Sequence, residues 1–302
     1  MPQARDIKRR IKSVESTKQI TRAMKMVAAA KLRRAQTRML GMRPYAEHLS
    51  RTVDDVAFEL FGDEHPLFLT RPETRAATIV IAGDRGLCGG FNASILRRAR
   101  AHFGALPEVT HSVWSIGKRA TLALRQDSAL TVTRSYEGVF DNLSYALANE
   151  ICAELVDAFL GERIDSAYVV YNEFLTVMSQ KPVTKRILPF DFGTILAARR
   201  ERPESRDPAR GTGETRLMYE LEPSPEAAMA RLVGHLIATQ VFHATLESYA
   251  AELGARMTAM DNATSNADDM IVSLTMDYNR ARQTGITSEL LDIVGGAEGL
   301  AR

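Results

Sequence analysis

Apolar and small residues alternate at spacings of four and three through the first 60 residues, where there is hardly a turn signal. This heptad-like spacing predicts a long helix packed along one side against another helix. Pro44 should bend this helix or end its first half, because proline lacks the backbone N–H that an interior helical position donates. The apolar positions are Ile7, Ile11, Val14, Ala28, Leu32, Ala35, Met39, Met42, Ala46, Leu49, Val53, Val56 and Leu60.

The stripe is interrupted between Val14 and Ala28. There the same track carries Lys18, Thr21 and Lys25, while the apolar residues Ile20, Met24 and Val27 lie two helical positions away. We therefore expect the apolar face of the helix to shift locally, as it would where the helix touches a second partner.

The C-terminal segment repeats the pattern over a longer span. A helix start is predicted at Pro223 to Pro225. Roughly 70 helical residues measure on the order of 100 Å, so one helix of this length should project from the fold as a rod. The apolar track holds Met229, Leu232, Leu236, Leu246, Ala250, Leu253, Met257, Met260, Ala267, Ile271, Leu274, Tyr278 and Ala281, with Thr239, His243 and Thr264 as polar members.

Strand-like and helix-like stretches alternate between the two long helices. Alternation of this kind predicts an α/β domain with a mostly parallel sheet, in which we expect the segment 182–190 to pair with the run before it. The expected strands are 76–82, 112–116, 131–133 and 166–177, and the expected helices are 91–103 and 143–160.

The fold class is therefore α/β, with long N- and C-terminal helices and a central α/β domain. We expect an N-terminal coiled-coil helix over residues 1–70, an α/β foot domain over 71–217 and a C-terminal coiled-coil helix over 218–302. Residues 199–216 are rich in Pro, Gly and charge and are expected to form a mobile loop.

Charge is distributed unevenly, although the formal net charge is only +2. Residues 1–40 hold 12 basic and 2 acidic side chains, whereas residues 225–302 hold 5 basic and 10 acidic ones. Opposite charge at opposite ends predicts that the two ends of the chain meet. Cys88 and Cys152 form no metal-binding or disulfide pattern, and no apolar run is long enough to span a bilayer.

Candidate chemistry is sparse. The turn from Gly83 to Asn92 can hold a phosphate at a helix N-terminus, but its spacing matches no nucleotide-binding fingerprint, and a tight strand-to-helix turn is the better interpretation. The six histidines lack metal-ligand spacing, so no catalytic residue, cofactor or metal site is expected. Two other classes stay open, a nucleic-acid-binding coiled coil and a nucleotide-binding α/β enzyme.

Three separated segments together resemble the gamma subunit of the bacterial F-type ATP synthase, the central rotor shaft. The N-terminal segment runs from Ser13 to Lys31 (SVESTKQITRAMKMVAAAK), and the central one is Asp84 to Gly90 (DRGLCGG). The C-terminal segment, from Tyr278 to Ala297, reads YNRARQTGITSELLDIVGGA.

This resemblance implies a fold in which the N- and C-terminal helices form a long antiparallel coiled coil beside a central Rossmann-like α/β domain. It also implies a non-catalytic central-stalk subunit that couples ion-driven rotation to ATP synthesis or hydrolysis at the beta-subunit sites. One copy would serve three alpha and three beta subunits, together with epsilon and the c-subunit ring. The location implied is peripheral, at the cytoplasmic face of the bacterial plasma membrane. No nucleic acid, cofactor or direct small-molecule substrate is implied.

The resemblance also implies which residues contact partners. Arg282 and Gln283 resemble a polar grip on a beta-subunit loop, and the end of the C-terminal helix would turn in an apolar sleeve. Tyr219 matches a position that faces epsilon. The full alpha/beta contact set is Lys18, Arg22, Met24, Lys25, Arg256, Arg282, Gln283, Thr287, Glu289, Leu290, Ile293 and Val294.

Overall fold

The computed structural model describes residues 4–60, 66–128, 130–190 and 221–300. They divide into two units, and two long helices contribute to both. Unit 1 consists of residues up to Lys31 and from Arg256 onward, and unit 2 spans Leu32–Ala255. The expected loop 199–216 and Tyr219 lie outside the described residues.

The two long helices begin where the sequence predicts. Helix α1 spans Ala4–Leu60, and α5 spans Pro225–Leu300 with a proline at its first position. The expectation that Pro44 ends the first half of α1 is wrong, because the helix continues through it. Pro44 is exposed, so water can satisfy the carbonyl one turn earlier that loses its partner.

Unit 2 contains a five-stranded sheet with helices on both faces. Its strands are β1 (Arg75–Ile81), β2 (Thr110–Ile116), β3 (Thr131–Tyr136), β4 (Ser166–Phe174) and β5 (Gln180–Leu188). The order is β3-β2-β1-β4-β5, and only the β4–β5 pair is antiparallel. The mostly parallel sheet and the pairing of the last two strands are thus confirmed.

Shorter helices connect the parallel strands of unit 2. They are α2 (Phe91–Ala105), α3 (Lys118–Leu124) and α4 (Tyr145–Leu160). The expected helix start at residue 143 moves to Tyr145, because the Ser144 hydroxyl accepts a hydrogen bond from the N–H of Ala146 at 3.1 Å. The seven-residue α3 was not predicted, since it is too short for a helical period to stand out.

The sheet divides the core of unit 2 in two. Ile79 and Ile81 face α4, α5 and the end of α1, whereas Val80 faces α2 and α3. This alternation follows from the period of two along a strand. The strands are therefore buried on both faces, as parallel strands covered by helices are.

Unit 1 is an antiparallel pair formed by the start of α1 and the second half of α5. Its seam, the set of positions least exposed to solvent, keeps the four-three spacing without interruption. The seam consists of Ile7, Ile11, Val14, Lys18, Thr21, Lys25 and Ala28 on α1, and of Met260, Thr264, Ala267, Ile271, Leu274, Tyr278 and Ala281 on α5.

Three consecutive layers of this seam are polar. Lys18 forms an ion pair with Asp268, and the Lys25 Nζ lies 2.5 Å from Asp261 Oδ1. Between them the hydroxyls of Thr21 and Thr264 are 2.7 Å apart. The expected local shift of the apolar face is therefore wrong, because the polar residues on the original track find partners across the seam.

The contacts also confirm that the oppositely charged ends meet. Both ion pairs join the basic N-terminal block to the acidic C-terminal block within unit 1. Because all four side chains are partly exposed, each pair contributes at most about 1 kcal/mol to stability. Their directional contacts fix which residues of the two helices lie opposite each other.

In unit 2, Asp165 ties the starts of β1 and β4 together. Its carboxylate accepts hydrogen bonds from the backbone N–H groups of Thr74 and Arg75, at 3.0 and 2.8 Å, and from both of their side chains. Burial alone would raise the pKa of Asp165, but these hydrogen bonds outweigh it and lower the pKa to about 2.

We expect Asp165→Asn to lower the free energy of unfolding by about 2 kcal/mol at pH 7, since an amide cannot replace a carboxylate that accepts four donors. Because the folded-state pKa lies below the unfolded-state value, this stabilisation is present above about pH 4 and is lost as the pH falls toward 2. Urea unfolding of the full chain across this pH range measures it. Asp157→Asn, at an exposed ion pair with Arg163, is the control and should change little; equal losses in both variants would contradict the assignment.

We expect Thr21→Val and Thr264→Val each to cost about 1 kcal/mol, because each leaves a seam hydroxyl without its partner across the pair. The double variant should lose clearly less than the sum, since it replaces the polar layer with an isosteric apolar one. Urea unfolding of the four chains gives the coupling energy. Thr17→Val, whose exposed hydroxyl bonds only to its own helix, should be nearly neutral. Strictly additive losses would show that the two hydroxyls do not interact.

Candidate partner-contact surface

The candidate contact residues of α1 fall into two groups. Lys18 and Lys25 lie in the seam of unit 1, where their ammonium groups are paired with Asp268 and Asp261. Arg22 is exposed and Met24 is half-buried. Of the three basic residues in the set, Arg22 is thus the one directed away from the seam.

Apolar residues that the seam does not use lie on the solvent side of α1. Ile20, Met26 and Val27 are each more than half exposed. Ile20 and Val27 are seven positions apart, which places them on the same side of a helix. Ile20 and Val27 belong to the apolar set that the sequence places off the heptad track, where contact with a second partner is expected, but neither is among the expected contact residues, and Met26 belongs to neither set.

The end of α5 extends beyond the described part of α1. Since Thr21 lies opposite Thr264 in an antiparallel pair, Ala4 at the start of α1 is level with about residue 281. We call residues 282–300 the α5 extension. Their helix has no described α1 residue beside it.

Arg282 and Gln283 are the first two residues of the α5 extension, and both are exposed. Within the part of the chain that the structure describes, neither side chain is engaged in a hydrogen bond or an ion pair. An arginine guanidinium offers five N–H donors and a glutamine amide offers two more, so the pair presents a compact group of donors to a partner.

The α5 extension also carries exposed apolar residues. Ile286, Leu290, Leu291 and Ile293 are between 50% and 68% exposed. Gln283, Thr287 and Leu290 lie on one side of the helix, because they are separated by four and three positions. The Thr287 hydroxyl donates to the Gln283 carbonyl at 2.9 Å, which leaves its lone pairs available. A helix with this many exposed apolar side chains, and with no described α1 residue beside it, is typical of a protein–protein contact.

The remaining candidates are Arg256, Glu289, Val294 and Tyr219. Arg256 is half-buried and already interacts within the chain. Glu289 and Val294 belong to α5, but their side chains, like the whole of Tyr219, lie outside the described residues.

The Gly-rich turn is closed by the chain's own side chains. The Asn92 side-chain oxygen accepts from the N–H of Gly83 at 2.8 Å, and Asp84 accepts from the N–H groups of Lys118 and Gly138 at 3.0 and 2.8 Å. The turn joins β1 to α2, as expected.

Helix α5 also fills the crevice next to this turn. Parallel α/β sheets bind ligands where the strand order reverses, which here is between the carboxyl ends of β1 and β4. The buried Ser248 hydroxyl donates to the Ile81 carbonyl at the end of β1. The buried Glu252 carboxylate lies so close to Gly83 that a Cβ there would be 2.9 Å from its Oε1. The Glu252 side chain therefore occupies the space beside Gly83 that a phosphate at the turn would need.

Two further observations concern metal binding and the crossing of a membrane. Among the described residues, no cluster of His, Cys, Asp and Glu side chains has the arrangement of a metal site. None of the described helices combines the length and the apolar character that crossing a membrane requires.

Comparison with known proteins identifies the family. A family model described as ATP synthase matches residues 3–300. The ATP synthase gamma chain of Anaeromyxobacter sp. strain Fw109-5 is 44% identical over 305 residues, covering 99% of this chain and all of the relative.

Solved structures agree in fold. The rotor of the Euglena gracilis mitochondrial ATP synthase has a TM-score of 0.61 at 20% identity, covering 94% of this chain and 98% of that one. The central stalk and c-ring structure from Tetrahymena thermophila has a TM-score of 0.58 at 24% identity, covering 81% and 99%. The chain therefore belongs to the ATP synthase gamma-chain family and is a subunit of a membrane-associated enzyme complex, not an enzyme by itself.

Proposed function

We propose that the chain is the central rotor shaft of an F-type ATP synthase and couples ion-driven rotation to ATP synthesis or hydrolysis at catalytic sites on beta subunits. One copy is surrounded by three alpha and three beta subunits, and residues of unit 2 contact epsilon and the c-subunit ring. The complex lies at the cytoplasmic face of a bacterial plasma membrane. The observation that carries the proposal is the α5 extension, a helix that has no described α1 residue beside it, carries exposed apolar side chains and begins with two polar groups that contact no described side chain.

A shaft drives chemistry by presenting different sides to otherwise identical sites. Among the described residues of unit 1 the two helices present different groups: α1 presents Arg22 and the exposed apolar residues Ile20, Met26 and Val27, whereas α5 presents Arg282 and Gln283. Each catalytic site is then biased toward a different conformation, because a partner shifts an equilibrium only through contacts that differ between its states.

The required energies are within reach of such contacts. Moving a two-state site from 1:99 to 99:1 needs a difference of about 5.5 kcal/mol in interaction free energy. A charge-assisted hydrogen bond contributes about 1.5–3 kcal/mol, so a few contacts made and broken together by rotation suffice.

We assign the polar grip to Arg282 and Gln283, with Thr287 and Glu289 one or two turns further along. Leu290, Ile293 and Val294 are the apolar residues that turn in a sleeve of the alpha and beta subunits. An apolar contact is non-directional, so the helix can rotate in it without breaking hydrogen bonds.

Met24, Arg22 and Arg256 complete the proposed alpha/beta contacts, and Tyr219 is proposed to face epsilon. Lys18 and Lys25 act indirectly in this scheme. Each lysine is paired with an aspartate of α5, and these ion pairs keep the side of α1 that bears Arg22 and Met24 in place against α5. A partner subunit can bind either ammonium group only by competing with its aspartate.

We expect the double variant Arg282→Ala/Gln283→Ala to lower ATP-driven ion pumping and coupled ATPase activity of the assembled enzyme at least about tenfold, because two charge-assisted or polar contacts of about 1 kcal/mol each are lost. Asp277→Ala/Asn279→Ala, at exposed positions one turn earlier, is the matched control and should retain activity. Native mass spectrometry must show the same subunit stoichiometry for both. Unchanged turnover in the first variant would remove Arg282 and Gln283 from the grip.

We expect Leu290→Asp/Ile293→Asp to reduce the yield of assembled complex, since both substitutions place charge in the proposed apolar sleeve. Leu290→Val/Ile293→Val keeps the apolar character and should assemble normally. Native mass spectrometry of the gently purified complexes gives the yield and the ratio of three, three and one. Normal assembly of the aspartate variant would mean that these residues stay in water.

A further inference from the structure

Unit 2 contains a cleft lined by none of the residues proposed to contact the partner subunits. It has a volume of about 780 Å³ and is enclosed by α1, α5 and the strands β4 and β5. Folded proteins are packed almost without voids, and ligand pockets generally measure about 300–1,000 Å³. The cleft therefore has the size of a small-molecule site.

The charge around the cleft is mostly positive. Four basic residues line it, among them Arg43, Arg51 and Lys185, against one acidic residue, Glu47. Within the described part of the chain, neither Arg43 nor Arg51 has an acidic oxygen within 4 Å. Glu47 is four residues from each on α1 and can neutralise at most one of them.

Lys185 provides a fixed positive charge at the sheet side. Its Nζ lies 3.2 Å from Glu173 Oε1 and 5.3 Å from the centre of the Tyr171 ring. Burial alone would lower the pKa of Lys185, but the contacts with Tyr171 and Glu173 raise it, so the ammonium group stays charged. Burial raises the pKa of the nearby Glu247, although His243 and Lys185 act in the opposite direction.

The floor of the cleft is apolar and aromatic. Val169, Leu236 and Ala244 are buried, and the Tyr171 ring is almost completely enclosed. Thr239 and Gln240 add polar groups at the wall. A ligand that fits this surface has an apolar or aromatic body together with two or more negative charges. These charges can be phosphate or carboxylate groups, because the planar guanidinium of arginine binds both with similar geometry.

We propose that this cleft binds a small organic polyanion, a phosphorylated or polycarboxylated molecule with an apolar body. Arg43 and Arg51 hold its charged groups at the rim, and Val169, Tyr171 and Leu236 receive its body. The site is separate from the Gly-rich turn, whose crevice Glu252 already occupies.

The test is fluorescence titration of the isolated full-length chain with trinitrophenyl-ATP, a probe that combines an aromatic body with phosphates. We expect saturable binding at one site and competition by inorganic pyrophosphate and, if carboxylates also fit, by citrate. Arg43→Ala/Arg51→Ala should raise the dissociation constant at least about tenfold. Ala46→Phe keeps every charge and fills the cleft, so it should weaken binding as well.

Arg33→Ala/Arg38→Ala is the matched control, because it removes the same charge from exposed positions of α1 outside the cleft. Equal weakening in both double variants would reduce the binding to general charge attraction and overturn the proposal. So would the absence of saturable binding, or an unchanged dissociation constant in the Arg43/Arg51 variant.

A second experiment addresses the assembled enzyme. Photolabelling with 8-azido-ATP and peptide mapping should label α1 near Arg43 or β5 near Lys185 in both the isolated chain and the complex. Labelling that disappears on assembly would show that a protein partner covers the cleft, and would replace the small-molecule site with a protein-binding surface.

Discussion

The width of the buried face along α5 governs the rest of the structure. Within unit 2 the helix is enclosed on most sides, and residues from Met229 to Ala251 contribute to both layers of core around the sheet. Within unit 1 burial narrows to one residue in every three or four. The first arrangement anchors the helix in a core, and the second leaves most of its circumference for other molecules. Both follow from which side chains are apolar along a single uninterrupted helix.

The enclosed part of α5 also determines what the α/β fold of unit 2 can do. A parallel sheet of this order offers a crevice at the carboxyl ends of its central strands, and the Gly-rich turn would lend its N–H groups to a phosphate there. Helix α5 places Ser248 and Glu252 in that position. The same sheet that serves nucleotide-binding enzymes therefore serves here as a support for a helix. Fold alone gives no indication of this difference, which depends on one buried carboxylate.

Much of the fold could be predicted from the sequence, and the features that could not be predicted have physical causes. The long helices, the mostly parallel sheet and the meeting of the charged ends follow from periodicity and charge, which are local or summed properties. The polar character of the seam at Lys18, Thr21 and Lys25 does not follow from periodicity or summed charge. A lysine in a heptad track looks like a break until an aspartate about 240 residues away is known to lie opposite it. The filling of the crevice beside the Gly-rich turn by Glu252 was hidden for the same reason, since the contact joins distant parts of the chain.

The polar layers of the seam lower the stability of the helix pair but specify a single register. A seam of uniform Leu and Ala would bury more apolar area, but it would tolerate sliding by one heptad, because every layer would resemble the next. Two ion pairs flanking a hydroxyl pair fit together in one register, and a slipped register would leave Thr21 or Lys25 facing an unsuitable partner. For a helix pair whose outer side chains must face their partners at fixed angles, one register is a functional requirement. A slip of seven residues would carry Arg282 and Gln283 about 10 Å along the axis relative to Arg22, and the contacts on the two helices would no longer change together.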